Sequence, residues 1–234
     1  MTRSLIIGGS GDIGQSIVDE CLALGNEVIL HYNQSDLEQL KHKYAGKPVT
    51  FLQMDLTKRV DLNVLNQIGQ IDHLIYVAGK SLYGSIQEML DEEIDIQYHL
   101  NVFHLIKAVQ LLVDNLRRSH HGRIIVISSI WGETGVSYES IYATMKSAQL
   151  GFVKSMAKEL ALTNITVNAI TPGVVRGKMT SELDESTQSQ LKEDIPQGKF
   201  VLPEEVSSSV AYLLSPLAQS VTGQVLRING GWYI

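Results

Sequence analysis

Residues 5–14 read Leu5-Ile6-Ile7-Gly8-Gly9-Ser10-Gly11-Asp12-Ile13-Gly14, an apolar run that breaks into glycines just ahead of a helical pattern. Gly9, Gly11 and Gly14 meet the G-x-G-x-x-G spacing. Missing side chains allow a tight turn, close approach of a pyrophosphate to the backbone, and close helix–strand contact. The helix that starts near Gln15 adds unpaired N–H groups and the positive end of its dipole, which suits phosphate charge. Glycine turns are common. This one gains its meaning from its place after the first strand and before a helix. The expected backbone contacts to a dinucleotide are Gly8, Ser10, Gly11, Asp12, Ile13 and Gly14.

Outward from this turn, short β-rich runs alternate with longer helical patterns. Strands are predicted at 4–7, 27–30, 49–53, 73–77, 123–128, 166–170 and 224–228. Most are continuously apolar, as strands of a parallel sheet covered on both faces must be. Helical spacing runs through 12–24, 35–44, 60–68, 86–116, 140–162 and 203–214. Such alternation implies right-handed βαβ crossovers. The predicted fold is α/β: a Rossmann-type doubly wound parallel sheet of about seven strands with helices on both faces. No repeat or linker interrupts it, so residues 1–234 read as one domain. The polar stretch 177–198 (GKMTSELDESTQSQLKEDIPQG) breaks the rhythm. A long insertion in a compact domain reads as a substrate lid or as a solvated surface helix.

Composition narrows the function classes. The chain has 234 residues, 44% hydrophobic and 19% charged, with a formal net charge of −6. That charge offers no general basic field for nucleic acid or anionic lipid. The single cysteine, Cys21, excludes an internal disulfide framework and suits a reducing cytoplasm; it reads as a small apolar residue on a buried helix face. No signal-peptide core precedes the glycines, and no run approaches the ~20 apolar residues of a membrane span. The chain is expected to be cytoplasmic. No metal is expected, because His120 and His121 lack a carboxylate or cysteine at ligand spacing.

Three further sites carry chemistry. Asp55 follows the third strand in Gln53-Met54-Asp55-Leu56, where its carboxylate could accept from an adenine amino group or cap the next helix. Tyr142 and Lys146 stand four apart on a predicted helix and so share one face. A neighbouring cation favours the phenolate and lowers the phenol pKa, and such a phenol can exchange a proton with an alcohol oxygen. With nine tyrosines in the chain, that spacing alone could arise by chance. Its setting adds weight: Ser128 and Ser129 end the fifth strand, where ligand crevices form in open parallel sheets. Ser129 could donate to a substrate oxygen held against Tyr142. A strand-end Ser-Ser is otherwise ordinary turn chemistry.

Taken together, these residues resemble the short-chain dehydrogenase/reductase family over essentially the whole chain. The glycine turn, Asp55, Ala78-Gly79, Asn101, Ser129, Tyr142, Lys146, Asn168, Pro172-Gly173, Thr222-Gly223-Gln224 and Gly230-Gly231 fall in family order. Ile195-Pro196, Gly198, Phe200 and Pro203-Glu204-Glu205-Val206 resemble the ketoreductases of 3-oxoacyl carrier-protein thioesters. The resemblance implies hydride transfer from a nicotinamide to a carbonyl carbon while Tyr142 protonates the oxygen. It implies that Ser129 orients that oxygen, Lys146 lowers the phenol pKa and binds the ribose, and Asn101 holds a relay water. Pro172, Gly173, Val174 and Val175 would border the nicotinamide, with Leu56, Ala78 and Gly79 as further cofactor contacts. The helices around 101–117 and 142–162 carry apolar residues on more than one face, for example Val102, Leu105, Val109 and Leu112, and Leu150, Val153, Met156 and Leu160, and part of that surface must cover the sheet. The resemblance implies that the rest, with Gly231-Trp232-Tyr233-Ile234 at a second interface, pairs subunits into a homotetramer or homodimer.

The chain departs from the family pattern at several positions. Asp12 stands where the family usually has glycine, Tyr76-Val77 replace two asparagines, and Gly177 aligns with a threonine that often contacts the carboxamide. At the second strand's end, Tyr32 lies near the position of an acid typical of NAD-specific members. Nothing there repels a 2′-phosphate, and His31, Asn33 and Ser35 could donate to one, so NADP(H) is expected over NAD(H). The expected substrate is a small-molecule or carrier-bound ketone of the 3-oxoacyl kind. The acidic 177–198 stretch is a poor landing site for an acidic carrier protein. A sharper alternative is therefore a protein-bound cationic ketone, because the His31-Tyr32-Asn33 run also resembles reductases of the 5-aminopentanone group on elongation factor P. A non-enzyme alternative is a nucleotide-sensing member of the fold; retention of Ser129, Tyr142, Lys146 and Asn101 together argues against it.

Overall fold

The computed structural model describes residues 2–234. Seven parallel strands form one sheet in the order β3-β2-β1-β4-β5-β6-β7. They are β1 (Arg3–Ile7), β2 (Glu27–Tyr32), β3 (Val49–Gln53), β4 (His73–Tyr76), β5 (Gly122–Ile127), β6 (Ile165–Pro172) and β7 (Val225–Ile228). All six residues of β5 and all eight of β6 are buried, including Arg123, Thr166, Asn168 and Thr171, as central strands covered on both faces must be. Leu5 faces Leu74 and Ile7 faces Tyr76 across β1 and β4, so the two strands end side by side. The chain leaves β3 at one edge and crosses to β4 on the other side of β1. That reversal opens a crevice beyond the carboxyl ends of β1 and β4.

Two apolar layers clamp the sheet. One face packs Leu5, Leu74 and Val126 beneath Leu105, Val109 and Leu112 of α4 (His104–Arg117) and Leu150 and Val153 of α6 (Ser140–Glu159). The other packs Ile6, Ile75 and Ile125 beneath Ile17, Val18 and Cys21 of α1 (Asp12–Ala23) and Val206 and Val210 of α9 (Pro203–Leu214). Each such aliphatic side chain contributes about 1.5–3 kcal/mol by leaving water. Cys21 lies in this layer as a small apolar residue, and burial pushes its thiol up to about 11. Among the described residues no helix is long and apolar enough to cross a membrane.

Several predicted helices change on folding. The 35–44 pattern starts later, as α2 (Leu37–Lys43), because Asp36 turns its carboxylate onto the amides of Glu38 and Gln39 at 2.8 and 3.3 Å. The 60–68 pattern yields only a 3-10 turn, Asn63–Gln67, that anchors Leu65 in the core. The single run expected over 86–116 is divided. A 3-10 turn at Ile86–Glu88 precedes α3 (Asp91–Tyr98), a π turn spans His99–Phe103, and α4 follows. Such π turns commonly mark functional positions, and Asn101 lies at the centre of this one. Of the apolar residues on these two helices, Leu105, Val109, Leu112, Leu150, Val153 and Leu160 supply the part expected to cover the sheet. The exposed apolar residue left on α4 is Ile106.

Candidate active site

The glycine turn is shaped by backbone contact. Gly8 has φ +91°, and a Cβ there would lie 2.5 Å from the Ala78 nitrogen. A Cβ on Gly14 would lie 2.2 Å from the Gly8 carbonyl oxygen. No other residue fits either position, so the turn folds tightly between β1, β4 and α1. Gly11 precedes α1 without a side-chain cap, which leaves the first helical N–H groups facing outward. A cavity of about 300 Å³ opens here, walled by Gly8, Ser10–Gly14, Tyr32-Asn33, Leu56, Ala78-Gly79 and Val175. An uncapped helix start beside a side-chain-free turn fits the pyrophosphate of a dinucleotide.

Pro172 and Gly173 lie outside that wall. The Ile130 N–H donates to the Pro172 carbonyl at 3.1 Å, tying the end of β6 to the residue after Ser129. Asp55 makes a local turn: its Oδ1 accepts from the Thr57 N–H at 3.0 Å, the Thr57 hydroxyl at 2.6 Å and the Asn33 amide at 3.2 Å. These hydrogen bonds hold its carboxyl below the usual range.

His31 corrects an expectation. It is buried, not available as a donor to a 2′-phosphate. Its Nδ1 accepts from the Gly8 N–H at 3.0 Å, and its Nε2–H donates to the Met54 carbonyl at 3.0 Å. Both ring nitrogens are therefore occupied, and one neutral tautomer is selected. Burial pushes the imidazole down to about 4. The residue ties the glycine turn to the end of β3. Ser35 is likewise engaged, donating to the Ser10 hydroxyl at 2.9 Å.

Across the crevice, the structure brings Ser129, Tyr142, Lys146 and Asn101 together. Ser129 follows β5, and its side chain interacts with the Tyr142 phenol in the sense that lowers the phenol pKa. Its hydroxyl also accepts from the Trp131 N–H at 3.2 Å. Lys146 is buried one helical turn beyond Tyr142, with Nζ 5.6 Å from the phenol ring centre and donating to the Ile127 carbonyl at 3.1 Å. A short helix, α5 (Trp131–Thr134), holds this geometry: a Cβ on Gly132 would lie 2.8 Å from the Lys146 carbonyl carbon. The hydroxyls of Ser128 and Ser147 bond the Lys146 and Gly132 carbonyls at 3.0 and 2.7 Å. No sequence pattern singled out Gly132 or Ser147.

The electrostatics differ from the simple expectation that Lys146 lowers the phenol. Burial pushes Tyr142 up to about 12; the Ser129 side chain offsets part of that, and Glu139 adds to it. Burial pushes Lys146 down to about 7, so its charge is itself conditional near neutrality. In the protein alone, desolvation outweighs attraction between the pair.

Asn101 is fully buried. Its Nδ2 donates to the Gln97 carbonyl at 3.0 Å and to Gln97 Oε1 at 2.9 Å. Gln97 donates in turn to the Lys80 carbonyl at 2.9 Å, which fixes both amides. Among the described residues, Asn101 Oδ1 has no partner. It points toward Gly79, where a Cβ would lie 3.2 Å from that oxygen and 3.1 Å from Lys146 Nζ. An orphaned acceptor and a buried ammonium converging on one gap fit a bridging water. Tyr76, which replaces a family asparagine, supports the same region by donating to the Leu100 carbonyl at 2.6 Å. No sequence motif marks Gln97, which acts through a contact formed only on folding, and Tyr76 stands out in the sequence only as the replacement of a family asparagine.

The 177–198 stretch forms α7 (Lys178–Ser181) and α8 (Glu185–Asp194). No residue of α8 is buried. Asp184 caps α8, accepting from the Thr187 N–H at 2.9 Å and from the hydroxyls of Ser186 and Thr187. Those bonds hold its carboxyl far below the usual range.

Comparison with known proteins agrees with this geometry. The family profile described as Enoyl-(Acyl carrier protein) reductase matches residues 9–233. An uncharacterized oxidoreductase, YmfI, of Bacillus subtilis (strain 168) is 35% identical, the alignment covering 98% of each chain. The 3-oxoacyl-[acyl-carrier-protein] reductase FabG of Aquifex aeolicus (strain VF5) is 33% identical, over 98% of this chain and 96% of that one. A short-chain dehydrogenase/reductase from Serratia marcescens BCRC 10948 superposes with a TM-score of 0.88 at 31% identity, over 99% and 97% of the two chains. An actinorhodin polyketide ketoreductase variant solved with NADPH gives 0.89 at 29% identity, over 99% and 97%. With a parallel sheet in the order 3-2-1-4-5-6-7, a glycine turn at its crevice and relatives matched end to end, the chain belongs to the short-chain dehydrogenase/reductase family of oxidoreductases.

Proposed function

We propose that this protein reduces a ketone to a secondary alcohol with NADPH, and that its substrate is a thioester of the 3-oxoacyl carrier-protein kind. The observation that carries the reading is the buried Lys146 ammonium, 5.6 Å from the centre of the Tyr142 ring, with Ser129 interacting with the same phenol. Burial pushes this phenol up to about 12, so it is protonated at neutral pH, the state from which a proton donor starts. When bound, the nicotinamide supplies the hydride equivalent for the carbonyl carbon. Ser129 holds the carbonyl oxygen against Tyr142, and Tyr142 gives it a proton. Lys146 binds the ribose and, with Asn101 and a bridging water, returns a proton to the phenol.

The second strand supports NADP(H) over NAD(H), because it ends in Tyr32-Asn33 without a carboxylate to repel a 2′-phosphate. Asn33 donates one amide N–H to Asp55 Oδ1 at 3.2 Å, and its second N–H is the donor left for a 2′-phosphate. The 177–198 stretch acts as the lid over the substrate, and the assembly is a homotetramer. A second reading, a cationic ketone such as a protein-bound 5-aminopentanone, is favoured by Glu139. That half-buried carboxyl is raised by burial near Tyr142, and among the described residues it forms no salt bridge.

The test is NADPH and NADH oxidation against acetoacetyl thioesters and amino-ketones of lysine-like length. Turnover with the thioesters and NADPH is expected. A preference for NADH removes the cofactor assignment, turnover of the amino-ketones alone transfers the reading to a cationic substrate, and no turnover of any ketone overturns both.

A further inference from the structure

Asp12 makes a contact that the reaction as described does not use. It opens α1 at the mouth of the nucleotide cavity, yet its Oδ2 turns away to accept from the Lys178 N–H at 2.7 Å. Lys178 is the first residue of α7, at the root of the 177–198 stretch. The residue before it explains how the carboxylate fits. A Cβ on Gly177 would lie 2.2 Å from Asp12 Oδ2 and 2.8 Å from its Cγ, closer than non-bonded atoms approach. Gly177 has φ 173°, extended backbone that any residue adopts, so conformation does not demand glycine there. Space does.

We infer that Asp12 is a positioning residue that latches the root of the lid to the nucleotide turn, and that Gly177 is glycine to admit the latch. The inference rests on the nucleotide reading of the cavity, since positioning the lid matters only if something binds beneath it. Two of the chain's departures from its family, carboxylate for glycine at 12 and glycine for threonine at 177, become one reciprocal exchange across the crevice. The root is then gripped from two sides. Asp12 holds it from α1, while the buried Thr180 hydroxyl accepts from the Gly177 N–H at 2.9 Å within the segment itself.

The latch also resolves an electrostatic conflict. A carboxylate in the first turn of a helix is attracted by the same positive end that would hold a pyrophosphate. A charge-assisted bond to the Lys178 N–H draws the Asp12 charge toward the lid and leaves the turn's amides open. The lid and the phosphate subsite are thereby coupled through one side chain. Loss of the latch frees the lid root, and in Asp12→Asn the acceptor remains while the charge is gone.

Amide hydrogen exchange on the full-length, nucleotide-free protein tests the latch, with NADPH affinity measured separately by fluorescence. Asp12→Gly and Gly177→Thr should each speed exchange at Lys178 by about tenfold, the scale of one charged hydrogen bond. Asp12→Asn should keep most of the protection. The double variant Asp12→Gly/Gly177→Thr should be no faster than either single, because both break one contact. NADPH should bind several-fold more weakly to Gly177→Thr, which frees the lid root and keeps the Asp12 charge. Native-like exchange in Gly177→Thr, or additive effects in the double, would overturn the latch. A protein whose Lys178 responds as expected but which binds no NADPH keeps the latch and loses the nucleotide reading.

Discussion

The nucleotide turn and the 177–198 stretch lie on either side of one crevice and are built on opposite terms. The turn is backbone against backbone, with no room at Gly8 or Gly14 for a single added carbon. In the other, α8 buries nothing and is held by its own cap. The first is over-determined by close packing, which transmits any change of volume. Outside buried Thr180 and Ile195, the second can vary its side chains at little cost to the core. On the proposed function, the contrast separates two tasks, with cofactor contacts set by the tight side and substrate preference by the open one.

The comparison can be broken by experiment. The largest effect is expected at the proton donor. Tyr142→Phe should lower turnover by about a thousandfold, within the range for general acid catalysis, with NADPH affinity near native. Turnover within tenfold of the native protein would remove Tyr142 from its role. Gly14→Ala forces a Cβ to 2.2 Å from the Gly8 oxygen. It should lower stability by about 1–3 kcal/mol and abolish NADPH binding, read by thermal melting and fluorescence. An unchanged melting curve would show that the turn is looser than its geometry.

A smaller effect is expected behind the site. Gln97→Leu removes the acceptor that orients the Asn101 amide, and should lower kcat about tenfold with little change in KM for NADPH. A change in KM alone would assign Gln97 to the fold rather than to the relay. The pH profile tests the same region. Burial lowers Lys146 to about 7, so its cation is present below that value and is lost as pH rises through it. Tyr142 stays protonated throughout. The reduction rate should therefore fall as pH climbs past about 7, and a flat profile from pH 6 to 9 would show that Lys146 keeps its charge. The least effect belongs to the open side. Asp184→Ala should fray α8 in hydrogen exchange and leave NADPH affinity unchanged, and a loss of affinity would mean the two sides are less separate than they look.

Much of this was legible in the chain itself. The seven strands are legible mostly as apolar runs, which central strands of a parallel sheet covered on both faces require, while the edge strands β3 and β7 are only partly buried. Tyr142 and Lys146 are visible as a pair because a helix brings residues four apart onto one face. The 60–68 and 86–116 patterns misled, since period alone does not reveal that a segment is too short to hold a helix or that a π turn divides it. His31 misled for a different reason. A histidine at a strand end looks like a ligand donor, but the neighbouring backbone took both of its nitrogens.

What the sequence determined alone was local and periodic: the glycine turn, the strand–helix alternation, and the identity of the groups able to move a proton. Those follow from backbone sterics and from repeats of two or about four residues, which act over a few ångströms of chain. The tertiary structure decided the long-range matters. It placed Ser129 on Tyr142, aimed the free oxygen of Asn101 at Lys146, put both pKa values under the control of burial, and closed the gap of 166 residues between Asp12 and Lys178. Dielectric surroundings and hydrogen-bond partners exist only once distant segments pack, so no reading of residues in order could have supplied them.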